Sequence, residues 1–217
     1  PLHDLSVDSC VVRGQYGPGT KDGGPLAGYL EESGVSPGSR TETFVALQTF
    51  VDNWRWAGVP FFLRTGKRLQ ARTSAISIQL KEVPPILFNT DKAHRLDANV
   101  LTIRIQPNEG FSLSIESKVP GPRVNVTPVE MNFDYSDVFR TTSPEAYERL
   151  LLDVLAGDAT LFMRRDSVEA SWRWITPALE RWAELGDVPL PSYAAGSWGP
   201  DAATELIERS GRRWRPR

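Results

Sequence analysis

Four cations flank a glycine in the stretch Arg64-Thr65-Gly66-Lys67-Arg68-Leu69-Gln70-Ala71-Arg72, directly after the apolar run Val59-Pro60-Phe61-Phe62-Leu63. A buried strand that opens onto glycine and basic side chains is the arrangement phosphate recognition needs. Arginine supplies a planar fork for phosphate oxygens and lysine a compact point charge. The glycine permits a close backbone approach or a sharp turn. Taken alone, a run of this kind is more often a strand end carrying solvated charge than a site.

A second polar pair is Arg104 and Gln106, in a run where Leu101, Ile103 and Ile105 alternate with Thr102, Arg104 and Gln106. Side chains alternate across a strand, so Arg104 and Gln106 share one face and the apolar residues take the other. That polar face reads either as solvent-exposed or as a ligand surface, since glutamine both donates to and accepts from sugar hydroxyls. Other chemistries find no support. His3, His94 and Cys10 lie far apart, with no HExxH or CxxC spacing, which argues against a metal site. There is no GxSxG nucleophile motif. Gly14-Gln15-Tyr16-Gly17-Pro18-Gly19 spaces its glycines as a dinucleotide loop does, but no helix is predicted after it.

The elements that position these residues are legible in part. Gly14 to Gly38 is dense in glycine, proline and charge and is predicted to be a long loop. Ser39 and Glu42 form a capping-box pattern. Phe44, Leu47, Val51 and Trp54 follow at helical spacing, so a helix is predicted there, ended by Gly58 and Pro60. The middle of the chain reads as strands: Ile76 to Leu80, Leu101 to Gln106, Phe111 to Glu116 and Val129 to Tyr135 all alternate. Pro107-Asn108-Glu109-Gly110 is a hairpin turn between two of them. A mostly antiparallel sheet with its apolar face in the core is expected. Ser143 and Pro144 open a helix bearing Tyr147, Leu150, Leu151, Val154 and Leu155, closed by Gly157. Another helix carries Val168, Trp172, Ile175, Leu179 and Trp182, with a kink or break predicted at Pro177. The tryptophans read mostly as core or interface anchors. Helix, strand block and helices in that order predict an α+β fold.

Bulk composition narrows the function classes. The chain has 217 residues, 40% hydrophobic and 24% charged, values ordinary for a globular protein. A formal net charge of −2 argues against a general nucleic-acid binder, so any cationic site is local. No apolar run approaches membrane-spanning length and no signal peptide is visible. The single cysteine, Cys10, rules out an internal disulfide and fits the cytoplasm.

Several segments in order carry a resemblance: Val12-Arg13-Gly14-Gln15-Tyr16-Gly17, Gly28-Tyr29-Leu30, Trp56-Ala57-Gly58-Val59-Pro60 through Lys67, Arg104-Ile105-Gln106-Pro107-Asn108-Glu109, Pro144 through Asp153, and Gly196-Ser197-Trp198-Gly199-Pro200. Together they closely resemble the C-terminal domain of the glucose-6-phosphate dehydrogenase family, across nearly the whole chain. The resemblance implies one α+β domain over residues 1–217, with a large, mainly antiparallel (mixed) sheet and helices packed on one face. It includes a loop at 14–38 and a basic tail at 205–217. The family oxidises glucose 6-phosphate to 6-phosphogluconolactone and reduces NADP, or NAD in some members, as the first step of the oxidative pentose phosphate pathway. Its subunits associate through the sheet as dimers or tetramers.

Carried over by position, Lys67 resembles the family's substrate-binding lysine, Arg72 a substrate-binding arginine of some members, and Gln106 the glutamine that contacts the sugar phosphate. Arg64 and Arg104 match positions that touch a second, structural NADP in mammalian-type members. Ser112 stands where those have a tyrosine and Ser114 where they have a lysine, so the two arginines are expected instead to support the substrate residues or the sheet. The family's coenzyme fingerprint, its Arg-Ile-Asp-His-Tyr-Leu-Gly-Lys-Glu signature and its catalytic histidine have no match here. The chain therefore reads as cut from a longer enzyme just before Val12, with NADP held mainly by the other part and no catalytic base of its own. Alone it is expected to be inactive. Two rival readings are a non-catalytic assembly or regulatory module, and a protein that binds another phosphorylated ligand at Lys67.

Overall fold

In the computed structural model, residues 7–82, 97–122, 125–139, 146–186, 188 and 190–215 are described. They form two compact units, one of Pro1–Ala71 with Leu150–Pro216 and one of Arg72–Arg149. The α+β class holds, with strands in two four-stranded sheets and a short ribbon.

In the first unit, α1 (Val7–Cys10) leads into β1 (Val11–Gly17), which lies beside β4 (Phe44–Phe50), and β4 lies beside β5 (Pro60–Gly66). These pairs are antiparallel, while β10 (Ser192–Ala194) joins β1 in parallel, so the sheet is mixed. The Gly14–Gly38 segment is less irregular than its composition predicts. It holds the end of β1, a ribbon of β2 (Gly19–Lys21) with β3 (Gly24–Leu26), and a 3-10 turn at Tyr29–Glu31.

The helix predicted after Ser39 is instead strand β4. Of its supposed stripe only Phe44 and Leu47 are buried, while Val51 is exposed and Trp54 is 88% exposed. The Ser39 hydroxyl meets that of Thr41, and Glu42 pairs with Arg13 at 2.7 Å, so no capping box forms. Aromatic and β-branched residues (Phe44, Val45, Thr49, Phe50) suit a pleated strand. β4 is the strand between β1 and β5, with backbone partners along both edges, and this outweighs the helical spacing: Phe44 and Leu47, three apart, lie on opposite faces of the strand and both are buried. Phe44 is 1% exposed and anchors a core of Tyr16, Ala46, Tyr193, Ala195, Ala203 and Leu206. Truncating such a phenylalanine costs about 3–5 kcal/mol.

α4 (Arg165–Glu184) runs unbroken through Pro177. The proline cannot donate to the preceding turn, and next to it the Thr176 hydroxyl donates to Trp172 O at 2.8 Å. α5 (Asp201–Glu208) buries Ala203, Leu206 and Ile207 in the unit's core. α3 (Ala146–Ala156) leaves Tyr147, Leu151, Val154 and Leu155 exposed and ends at Gly157 with φ 71°. Ser143 and Pro144, expected to open it, lie outside the described residues, as does His94.

The second unit is an antiparallel sheet of β6 (Ser74–Gln79), β7 (Val100–Gln106), β8 (Gly110–Lys118) and β9 (Val126–Asp134), followed by α2 (Tyr135–Phe139). All four strands and the β7–β8 hairpin match the alternation in the sequence. The facing is reversed from expectation. Val100, Thr102 and Ser112 are buried, whereas Ile76, Ile78, Ile103, Ile105, Phe111, Val129 and Met131 on the opposite face are exposed. Alternation specifies that two faces differ, but not which one is covered.

Candidate phosphate-binding site

Lys67 is the first residue past β5, where the strand ladder stops holding the chain. Its backbone is tied down nonetheless. Its N–H donates to Thr43 O at 2.8 Å, and its carbonyl accepts from the Tyr193 hydroxyl at 2.7 Å. Gly66 permits this approach, since a Cβ there would lie 2.8 Å from the Phe44 ring. Arg68 takes a left-handed φ of 51° and turns the chain out of the sheet. Arg68 O accepts from Gly196 N–H at 2.7 Å, and Gln70 N–H donates to Ser197 O at 2.9 Å. Residues 67–70 are thus lashed to 193–197 at three points.

A hydroxyl has one proton to give. Lys67 O is nearer to the Tyr193 oxygen than Thr43 O, at 3.1 Å, so Tyr193 donates to Lys67. The Thr43 hydroxyl, 3.1 Å from the Tyr193 oxygen, then donates to it and itself accepts the Tyr16 N–H at 2.9 Å. Burial pushes the Tyr193 phenol above its ordinary pKa, so it stays protonated at neutral pH.

The four cations divide sharply. Arg68 pairs with Glu32 at 2.7 Å, and Tyr16 donates to the same carboxylate oxygen at 3.1 Å. Arg68 and then the Tyr16 hydroxyl hold the Glu32 carboxyl below its usual range. Arg64 lies between two indoles, its guanidinium carbon 4.9 Å from the Trp198 ring centre and 4.6 Å from that of Trp214. Desolvation there lowers the Arg64 pKa. Lys67 and Arg72 are exposed and, among the described residues, have no side-chain partner.

In the second unit, Arg72 lies two residues before the start of β6. The Thr73 hydroxyl donates to Gln106 O at 3.3 Å, and the Gln106 amide donates to Ser74 Oγ at 2.9 Å. Arg72 and Gln106 therefore sit at one end of this sheet, with the exposed Gln106 amide oriented by Ser74. Arg104 donates to Phe133 O at 3.0 Å and pairs with Asp134. A Cβ on Gly110 would lie 2.5 Å from its Nη2, so the guanidinium packs over that glycine.

A second, structural NADP would require Arg64 and Arg104 to face a ligand. One is held between indoles and the other in an ion pair, so these residues do not fit that group. A hollow of about 540 Å³ opens on the apolar face of the second sheet, lined by Leu101, Ile103, Ile105, Phe111 and Tyr135 with Arg104, Glu109 and Gly110. It contains none of Lys67, Arg72 and Gln106, and its apolar lining does not suit a sugar phosphate. Among the described residues no metal-binding cluster of His, Cys, Asp and Glu occurs. No described helix is long and apolar enough to cross a membrane.

Sequence patterns pointed to Lys67, Arg72 and Gln106 but not to the residues that hold them. Thr43, Tyr193 and Ser74 belong to no motif, and Tyr193 lies 126 positions from Lys67.

A family model described as "Glucose-6-phosphate dehydrogenase, C-terminal domain" matches residues 1–215. A glucose-6-phosphate 1-dehydrogenase of Chlamydia pneumoniae is 51% identical over 217 residues, covering 99% of this chain and 42% of that protein. One of Rhizobium meliloti (strain 1021) is 49% identical over 219 residues, covering 99% and 43%. A solved glucose-6-phosphate dehydrogenase in complex with its substrate glucose-6-phosphate has a TM-score of 0.80 at 34% identity, over 97% of this chain and 42% of that one. The glucose-6-phosphate 1-dehydrogenase from Mycobacterium avium gives 0.75 at 35% identity, over 98% and 41%. The chain thus spans less than half the length of these relatives.

Proposed function

Because this chain belongs to the glucose-6-phosphate dehydrogenase C-terminal-domain family, we propose that it is the substrate-binding and oligomerisation part of a cytoplasmic enzyme that oxidises glucose 6-phosphate to 6-phosphogluconolactone. The observation that carries this reading is a lysine with a fixed backbone and an ammonium that has no partner among the described residues, in a chain 51% identical over 99% of its length to such a dehydrogenase. NADP, held mainly by the remainder of the enzyme, takes the hydride from C1 of the sugar. The roles of this chain are to bind and orient. Lys67 supplies a point charge to the phosphate, Arg72 a planar fork, and Gln106 an amide to the sugar-phosphate oxygens. None of the described residues is assigned the role of the catalytic base, and the chain alone is expected to lack dehydrogenase activity.

The exposed apolar face of the second sheet is proposed to meet a second copy in a homo-oligomer. Exposed apolar surface on this scale marks an interaction site. The aromatic row on it, Phe111, Phe133 and Tyr135, with ring centres 5.0 and 5.3 Å apart, suits an interface.

The phosphate assignment is tested by steady-state kinetics on the enzyme that carries this chain. A charge-assisted hydrogen bond contributes about 1.5–3 kcal/mol, so Lys67→Ala raises the KM for glucose 6-phosphate at least about tenfold. An unchanged KM refutes the assignment.

A further inference from the structure

We propose that Tyr193 is a positioning residue for this enzyme: its hydroxyl, oriented by Thr43, fixes the Lys67 peptide so that the ammonium is presented to the phosphate. The inference rests on the reading of Lys67 as the phosphate ligand.

The argument begins from what does not hold Lys67. Its ammonium has no partner among the described residues, and β5 ends one residue before it. Arg68 then turns the chain with a positive φ. The direction of the Lys67 side chain is therefore set by its own two peptide groups. Thr43 takes the N–H and Tyr193 the carbonyl, and the two partners bond each other. The chain of donors runs from Tyr16 N–H to the Thr43 hydroxyl, to the Tyr193 hydroxyl, to Lys67 O. Each link in such a chain polarises and strengthens the next.

The ring and the oxygen of Tyr193 have separable roles. The ring is 4% exposed and packs 5.5 Å from Phe44 and 6.3 Å from Tyr16, centre to centre, as core. A phenylalanine fills that space equally. Only the oxygen reaches the phosphate loop, and a buried hydroxyl there keeps its position because it has partners on both sides. With this bond in place, the backbone at Lys67 is ordered on folding. Without it, the ordering cost falls on substrate binding. That cost enters KM, while the chemical step at C1 is untouched, since Lys67 is assigned to the phosphate rather than to the reacting carbon.

The test is kinetic, on the whole enzyme with coenzyme saturating. Tyr193→Phe raises the KM for glucose 6-phosphate about tenfold, leaves kcat within about twofold and leaves the KM for coenzyme unchanged. Added to Lys67→Ala, it brings no further rise, because the side chain it positions is gone. Thr43→Val moves KM in the same direction and Thr43→Ser restores it. That pair carries the test if Tyr193→Phe folds poorly. The inference is overturned if Tyr193→Phe leaves KM unchanged, or if its effect multiplies with that of Lys67→Ala. If Lys67→Ala itself leaves KM unchanged, the phosphate reading fails first and the positioning role with it.

Discussion

Arg104 provides a sharp separation between a structural role and a ligand-binding one. In Arg104→Met the aliphatic stem stays and the guanidinium goes. The side chain is 14% exposed and its partner Asp134 is 35% exposed, so the pair is neither fully buried nor freely solvated. Breaking a fully buried pair costs about 3–5 kcal/mol and losing an exposed one about 0–1 kcal/mol. The half-screened carboxylate and the lost bond to Phe133 O place this substitution between those limits, at about 2 kcal/mol. For a chain of this size that lowers Tm by about 4–8 °C. The assay is thermal and urea unfolding of Arg104→Met, Asp134→Asn and the double variant, with kinetics beside them. The double variant is expected to be less destabilised than the sum of the singles, with a coupling of about 1 kcal/mol or more. The KM values for sugar phosphate and coenzyme stay within about threefold. Unchanged stability together with a large loss of coenzyme affinity would refute the structural role assigned to Arg104.

Three further outcomes are expected. The Glu32 carboxyl is held below its ordinary pKa of 4.5, so its contribution is present above that value and is lost as pH falls through the depressed folded value. Glu32→Gln therefore flattens the acid side of a stability–pH profile below about pH 4.5, and a profile identical to that of the parent chain contradicts this. Gly199 combines φ 105° with a Phe44 ring atom 2.3 Å from where a Cβ would sit, so Gly199→Ala both strains the backbone and displaces the core phenylalanine. A Tm loss of at least about 6 °C is expected in thermal unfolding, and a loss under about 2 °C argues against that close approach. Met131→Glu places a charge on the exposed apolar face of the second sheet, where Met131 is 52% exposed. On the proposal that this face joins two copies, sedimentation of the enzyme shows dissociation with little change in stability, and an unchanged sedimentation coefficient overturns the proposed interface.

Local patterns carried much of the second unit and less of the first. The β6 to β9 runs were legible because period-2 alternation and a Pro-Asn-Glu-Gly turn are local signals. β4 was not, because Phe44 and Leu47 match helical spacing, and a strand buried on both faces shows no period-2 alternation to contradict it. The choice was made by β1, some thirty residues earlier, and β5, which follows it, because together they satisfy both backbone edges. The buried face of the second sheet was misjudged for a related reason. Alternation separates Thr102 and Ser112 from Ile103 and Phe111, but coverage depends on what packs against the sheet.

By itself the sequence determined the class of the protein and its family, since ordered motifs from Val12 to Pro200 survive as chain segments whatever their packing. Through the family resemblance it also pointed to Lys67, Arg72 and Gln106 as candidates, which residue type and neighbourhood alone did not separate from solvated charge. Tertiary structure alone decided which cations remain open. Arg64 is held by Trp198 and Trp214, Arg68 by Glu32, and Arg104 by Asp134, each through a side chain brought in from another segment. It also decided how Lys67 is fixed, because the hydroxyl that holds its carbonyl arrives from 126 residues away. A hydrogen bond depends on the meeting of two atoms within about 3 Å, and no local pattern records a meeting between distant segments.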